Sequence, residues 1–130
     1  MNPLSHIKTY KCRKGAIAYK AGLEAEKDVI LFLEKLGYKL LAHRYRTILG
    51  EIDLLVANDE WLLAIEVKHR RSLYEGAYAL SKKQARRLLA AFDYIIQLKP
   101  EWLRPNIRFD VIITDWSGQI EHIKDAIRLS

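Results

Sequence analysis

The chain has one cysteine, Cys12, which leaves no partner for an internal disulfide, and its four histidines, His6, His43, His69 and His122, fall in none of the spacings that hold zinc. Any metal is therefore expected among oxygen ligands. No stretch approaches the ~18 apolar residues of a membrane helix, and Met1 to Lys8 lack the apolar run of a secretory signal. The expectation is a cytoplasmic protein without membrane contact. No internal repeat, low-complexity tract or interdomain linker is visible, so residues 1–130 are expected to form one domain, with a basic irregular arm over residues 1–13. Half of the residues are hydrophobic, enough for a real core.

Acid is missing from the start of the chain. Residues 1 to 20 carry Lys8, Lys11, Arg13, Lys14 and Lys20 with no carboxylate, and residues 68 to 87 carry Lys68, Arg70, Arg71, Lys82, Lys83, Arg86 and Arg87 against Glu75 alone. With a formal net charge of +6 and a pI near 9.5, these single-sign clusters suit a polyanionic partner, nucleic acid above all. A solvated helix face plus a basic arm gives the same pattern, and charge alone does not choose between them.

Hydrophobic periods lay out the elements. From about Lys14 to Leu36, Ala18, Ala21, Ala25, Val29, Phe32, Leu33 and Leu36 recur at three- and four-residue steps as one apolar stripe, and Gly37 stops the helix. Glu26 lies at the edge of that stripe and leans towards the core, where a carboxylate needs a partner. The acidic strand face described next is the one expected. Three strands follow: Tyr38 to Arg46, Glu51 to Ala57, and Trp61 to Lys68, with turns at Thr47 to Gly50 and at Asn58-Asp59-Glu60. After a loop over Ser72 to Gly76, a second helix runs from Ala77 to Leu98 with an apolar face of Leu80, Leu88, Ala91, Phe92, Ile95 and Ile96, unless Ser81 caps a later start. Ile107 to Ile113 and Gln119 to Lys124 are the last strands, joined by a turn at Trp116-Ser117-Gly118. The layout is αβββαβ with a terminal β extension, an α/β three-layer sandwich around a mixed sheet.

Two of these strands carry chemistry. Alternation puts Glu66 and Lys68 on one face with Leu62 and Ala64, while Ile65 and Val67 point the other way; Asp53 projects from the neighbouring strand. Charges in an apolar strand are expensive unless they pair or hold a cation. Asp53 and Glu66 make a seat for Mg2+ or Mn2+, with the Val67 carbonyl as a third ligand and the Lys68 ammonium orienting water and steadying developing charge. A structural Glu66–Lys68 ion pair fits the same spacing, and spacing alone does not decide.

An acid, a second acid about a dozen residues later, then any residue and lysine, on the second and third strands of an αβββαβ core, resembles the PD-(D/E)xK nuclease superfamily with its restriction-endonuclease-like fold. More specifically, Gly22-Leu23-Glu24-Ala25-Glu26, Gly37-Tyr38, Gly50-Glu51-Ile52-Asp53-Leu54, Glu66-Val67-Lys68 with Arg70, and Lys83-Gln84-Ala85-Arg86-Arg87 match in order the YraN-like family of small bacterial proteins, over about Gly22 to Ile113. The resemblance implies an endonuclease related to archaeal Holliday-junction resolvases, hydrolysing phosphodiester bonds in structured or branched DNA. It implies Asp53 and Glu66 as metal ligands, Lys68 as the catalytic lysine and Glu26 as the acid of the first helix. A resolvase makes two coordinated cuts, which implies a homodimer. The alternative is a nucleic-acid-binding protein without turnover, using the same basic surface. The chain departs from the family pattern at Ala25, where Gly is usual, at His69, where a small hydroxylated residue often follows the lysine, and at Arg44, where Asn is common.

Outside the acids, Arg70, Arg71, Lys82, Lys83, Gln84, Arg86 and Arg87 are the expected contacts to nucleic acid. His69 points by alternation to the face opposite Lys68, which suits a structural or phosphate-contacting role. Trp61, Phe92 and Phe109 are expected in the core. Trp102 and Trp116, near turns, suit either base stacking or the covering of a sheet edge.

Overall fold

The computed structural model describes residues 21–73 and 80–128, so the basic arm, Ala18 and the onset of the first helix lie outside the described residues. Helix α1 covers residues 21–35 of those described. Its stripe of Ala25, Val29 and Leu33 is buried, whereas Leu36, assigned by period to the same stripe, is 51% exposed because the helix has ended before it. The stop is a Schellman closure: Tyr38 N–H donates to the Leu33 carbonyl at 3.0 Å, Gly37 N–H to that of Glu34 at 3.0 Å, and Gly37 takes φ +95°.

Five strands follow in the order β1-β2-β3-β4-β5 across one sheet, with residues β1 Lys39–Thr47, β2 Gly50–Ala57, β3 Trp61–Arg70, β4 Asn106–Asp115 and β5 Ile120–Ile123. Only β3 and β4 are parallel; the other neighbours are antiparallel, so the sheet is mixed. A parallel pair needs a crossover, and α2, Lys82–Leu98, supplies it. The helix begins later than the Ala77 suggested by period. Ser81 is extended and its hydroxyl accepts the Gln84 N–H at 3.1 Å, so the capping alternative holds, and Leu80 precedes the helix. Residues 77–79 of the expected helix lie outside the described residues.

The helices take opposite faces of the sheet. Val29 and Leu33 of α1 pack with Leu54, Val56, Leu63, Ile65 and Ile112, while Leu88, Ala91, Phe92 and Ile95 of α2 pack with Ile52, Leu55, Leu62, Phe109 and Ile113. This is the expected α/β three-layer sandwich. Phe92 and Phe109 meet edge to face at 5.8 Å inside the second cluster. Trp61, expected in the core, is half-buried at the sheet end with the Arg108 guanidinium 4.8 Å above its ring. Among the described residues no helix is long and apolar enough to cross a membrane.

The strands are irregular between β2 and β3 and along β1. Registered pairs between β2 and β3 run from Ala57↔Leu62 to Leu54↔Ile65 and stop there, so the strands part just before Asp53 and Glu66. In β1 the register shifts between Leu40 and Ala42, and Arg44 takes φ +54°, the left-handed region that side-chain-bearing residues seldom adopt.

Candidate active site

Where β2 and β3 part, a carboxylate replaces a ladder bond. The Val67 N–H donates to Asp53 Oδ2 at 2.8 Å, which fixes the Asp53 side chain between the strands beside Glu66. Lys68 Nζ stands 3.4 Å from Glu66 Oε1, and both side chains are largely buried, so the shared face expected for these two residues is observed. Among the described residues Glu66 Oε2, also buried, has no hydrogen-bond partner. Burial, reinforced by the charge of Asp53 and opposed by Lys68, pushes the Glu66 carboxyl up to about 7. Burial also raises Asp53 above the usual carboxylate range, with the Val67 N–H pulling it down and the charge of Glu26 pushing it further up. Two acids that repel each other in a dry setting, one with an idle oxygen, are short of positive charge.

The pair opens into a cleft of about 260 Å3 lined also by Gly22, Ala25, Glu26, Arg44, Val67, His69 and Arg70. Glu26 reaches it from α1 and is buried, as its place on the stripe implies, but its partners are not the acids of the strands. Arg44 Nη2 and Nε lie 2.8 and 3.0 Å from Glu26 Oε2, and His43 Nε2 lies 3.3 Å away. Neighbours on a regular strand point to opposite faces; the left-handed turn of the backbone at Arg44 lets both residues reach one carboxylate. Asparagine, common at this position in the resembling family, tolerates that same conformation. His69 Nδ1 lies 2.7 Å from Thr114 Oγ1, which anchors the ring to β4, so the alternation argument holds while the ring still borders the cleft.

Among the described residues no three or more His, Cys, Asp and Glu side chains converge as a metal site. Hard divalent cations such as Mg2+ are nonetheless held by one or two carboxylates, with waters and substrate oxygens completing six positions. Asp53 and the unpartnered Glu66 oxygen fit that sparse set, and Val67, whose N–H is taken by Asp53, borders the same cleft.

The basic residues gather at the same end. Lys82, Lys83, Arg86 and Arg87 are exposed on the first turns of α2, and Gln84 is half-buried. The Arg87 stem lies against Gly50, where an added Cβ would stand 3.6 Å from its Cγ, so the start of α2 meets the start of β2 close to Asp53. Arg70 borders the cleft and donates to the His69 carbonyl at 2.9 Å. Arg71 is exposed, its guanidinium 5.3 Å from the centre of the Trp116 ring. Trp102 is half-buried and meets Tyr45 edge to face at 5.7 Å, so of its two expected roles it covers the sheet. Trp116 is 68% exposed.

Sequence reasoning missed a further buried acid. Asp110 on β4 is fully buried and accepts from Arg108 Nε at 2.7 Å, from Arg108 Nη2 at 2.8 Å and from the Asp125 N–H at 2.8 Å, with His122 Nε2 at 2.7 Å. Burial alone would raise this carboxyl; the His122 and Arg108 bonds outweigh it and hold it below the usual range. The Arg108-x-Asp110 spacing, two residues on one strand face, was the available signal.

Residues 25–114, which contain every acid of the cleft, match the uncharacterised protein family UPF0102. The chain belongs to this family. It is the family called YraN-like above. A UPF0102 protein of Granulibacter bethesdensis is 44% identical over 119 residues, covering 92% of this chain and 75% of that protein. One from Azorhizobium caulinodans is 38% identical over 117 residues, covering 90% and 89%, and one from Roseobacter denitrificans is 35% identical over 113 residues, covering 87% and 88%.

Proposed function

We propose that this UPF0102 protein is a metal-dependent endonuclease that hydrolyses phosphodiester bonds in structured or branched DNA. The observation that carries the reading is the idle, buried oxygen of Glu66 beside Asp53 and Lys68, a site short of one cation. Asp53 and Glu66 would hold Mg2+ or Mn2+ with the Val67 carbonyl. When bound, such an ion neutralises charge on the scissile phosphate and acidifies water. The rest falls to the chain itself. The Lys68 ammonium orients the attacking water, whose oxygen gives up a proton to solvent and forms the new bond to phosphorus as the bond to the leaving sugar oxygen breaks and that oxygen takes a proton from solvent; the ammonium also steadies the charge that develops. Glu26 acts through Arg44 and through its field on Asp53, an auxiliary and positioning role. Exposed Lys82, Lys83, Arg86 and Arg87, with Arg70 and Arg71, provide the field that draws the backbone in, and Gln84 is a further contact. The branched substrate comes from the family resemblance, and with it a two-fold dimer.

The test has two arms. Calorimetric titration with Mn2+ should give heat with wild type and none with Asp53→Asn. Branched, flapped and linear DNA incubated with Mg2+ or Mn2+ should be cut by wild type and not by Asp53→Ala or Lys68→Ala; equal cutting by all three marks a contaminant and ends the proposal. A second reading, a binding protein without turnover, is favoured by the Glu66–Lys68 ion pair at 3.4 Å. It expects silence in the titration, no cleavage with either metal, and salt-sensitive binding through the α2 cations.

A further inference from the structure

We propose that Trp116, backed by Arg71, is a stacking platform for an unpaired nucleobase next to the proposed hydrolytic cleft. The inference rests on the nucleic-acid reading of that cleft and adds to it a substrate feature: a nucleotide out of its base pair beside the scissile phosphate. Trp116 is 68% exposed at the tip of the β4–β5 hairpin, whereas Trp102 spends its ring on Tyr45. Exposure alone is ordinary for a single apolar side chain; what marks this ring is its place beside a cleft and against a guanidinium. The backbone turn that carries it is fixed. Asp115 Oδ1 accepts from the Ser117 N–H at 2.9 Å, from the Ser117 hydroxyl at 2.7 Å and from the Gln119 N–H at 2.9 Å, so little ordering remains to be done on binding. The Arg71 guanidinium, 5.3 Å from the ring centre, adds a cation on which bases also stack.

Place and polarity name the ligand. Asp115 pairs with Arg70 in the parallel register of β4 with β3, so the Trp116 backbone, one residue past the strand, stands roughly 10 Å from that of Lys68. That is the reach of a nucleotide flanking the one being cut. Trp116 also borders a cleft of about 200 Å3 with His69, Glu24 and Asp28. The two exposed carboxylates on α1 repel phosphate from it, so the group admitted there is the uncharged base, and the backbone stays on the Arg70 and Arg71 side. A paired base has no free face to offer; an unpaired one does.

The test is metal-free binding in EDTA, read as fluorescence polarisation of a labelled single strand and of the duplex of the same sequence, for wild type, Trp116→Ala, Trp116→Phe and Arg71→Ala. Trp116→Ala should weaken single-strand binding about tenfold, the scale of one base–aromatic stack, and duplex binding less than twofold, with Trp116→Phe restoring most of the loss and Arg71→Ala falling between. An unchanged single-strand affinity, or an equal loss on both ligands, overturns the platform. So does an unchanged affinity accompanied by altered sedimentation of Trp116→Ala, which would mark the ring as a contact between copies of the chain. The two proposals separate: a protein that cuts no DNA yet shows the tenfold loss keeps the platform and loses the nuclease reading, and a protein that cuts DNA while Trp116→Ala binds normally loses only the platform.

Discussion

Glu66 on β3 and Asp110 on β4 are buried acids one strand apart in the same sheet, and they titrate in opposite directions. Depth does not separate them. Asp110 is the deeper of the two, yet Arg108, His122 and the Asp125 N–H supply every bond its oxygens need, and it is held ionised. Glu66 has one ammonium at 3.4 Å, a second acid beside it and an oxygen with nothing, and it is held towards the neutral form. Arg108 and His122 are committed to Asp110, whereas the cations at the start of α2 are exposed, with no acid in the first turn of that helix. A satisfied buried charge is compensated within the fold; an unsatisfied one is maintained against stability, and under the proposed function a cation held there would supply the reason.

The largest effect that tests this contrast is on stability. Asp110→Asn leaves the largely buried Arg108 guanidinium facing a neutral amide, with the His122 ring beside it, and should lower unfolding free energy by about 3–5 kcal/mol, read from urea midpoints. Glu66→Gln should leave stability unchanged or raise it, because an amide donates to Asp53 and accepts from Lys68 where two acids now repel. Equal losses in the two variants would erase the distinction.

The pH profile separates the same two residues. Glu66 has a folded value of about 7 against an ordinary 4.5, so between those points the folded chain keeps a proton that the unfolded chain has released. Its contribution is complete below pH 4.5 and is lost as pH rises to about 7, a decline on the order of 3 kcal/mol at most. Asp110 runs the other way: its folded value lies below 3.8, so its contribution is present above that pH and disappears as pH falls through the folded value. Melting curves from pH 4 to 8 should show the full decline in wild type and only the smaller share left by Asp53 in Glu66→Gln. Millimolar Mn2+ at pH 8 should restore the loss in wild type and fail to do so in Asp53→Asn.

How far the two centres could be read from the chain follows from which contacts are local. Ser81, Gly37 and the alternation of Glu66 with Lys68 act within a few residues, so the helix cap, the helix stop and the shared strand face were all legible. The Ala77 start failed because Leu80 satisfies a helical period that the Ser81 cap overrides. The partners of Glu26 were illegible for a different reason: a register shift and a left-handed Arg44 break the period of two on which any face assignment for β1 depends. Half of the Asp110 centre was legible in Arg108-x-Asp110; His122 and the Asp125 N–H arrive from the far side of a turn whose geometry no spacing encodes.

Glu26 gives a smaller effect that couples to the first centre. Its two partners are each about one-third exposed, at 31% for His43 and 30% for Arg44, so water compensates them when the carboxylate goes. Glu26→Gln should cost about 1–2 kcal/mol in urea unfolding. Removing that charge also takes away one of the forces that raise Asp53, so its titration, followed by carboxyl NMR, should move back towards the ordinary range. An Asp53 titration unmoved by the change would separate the helix acid from the cleft.

The smallest stability effect belongs to the residues with the largest expected effect on binding. Lys82, Lys83, Arg86 and Arg87 are exposed, so changing all four to Gln should alter unfolding free energy by about 0.5 kcal/mol or less. If they neutralise DNA phosphates, each lost contact should flatten the slope of log affinity against log salt by about 0.9, whatever the sequence of the duplex. Arg46→Gln is the matched control. It is an exposed guanidinium on β1, 3.4 Å from Glu51, and it carries one unit of charge without belonging to the α2 stripe. A slope that changes in proportion to charge removed, wherever it is removed, would mean a diffuse field. A slope that responds to the α2 residues and ignores Arg46 would place the phosphate backbone against the helix start, beside the one buried acid of this pair that the fold leaves unsatisfied.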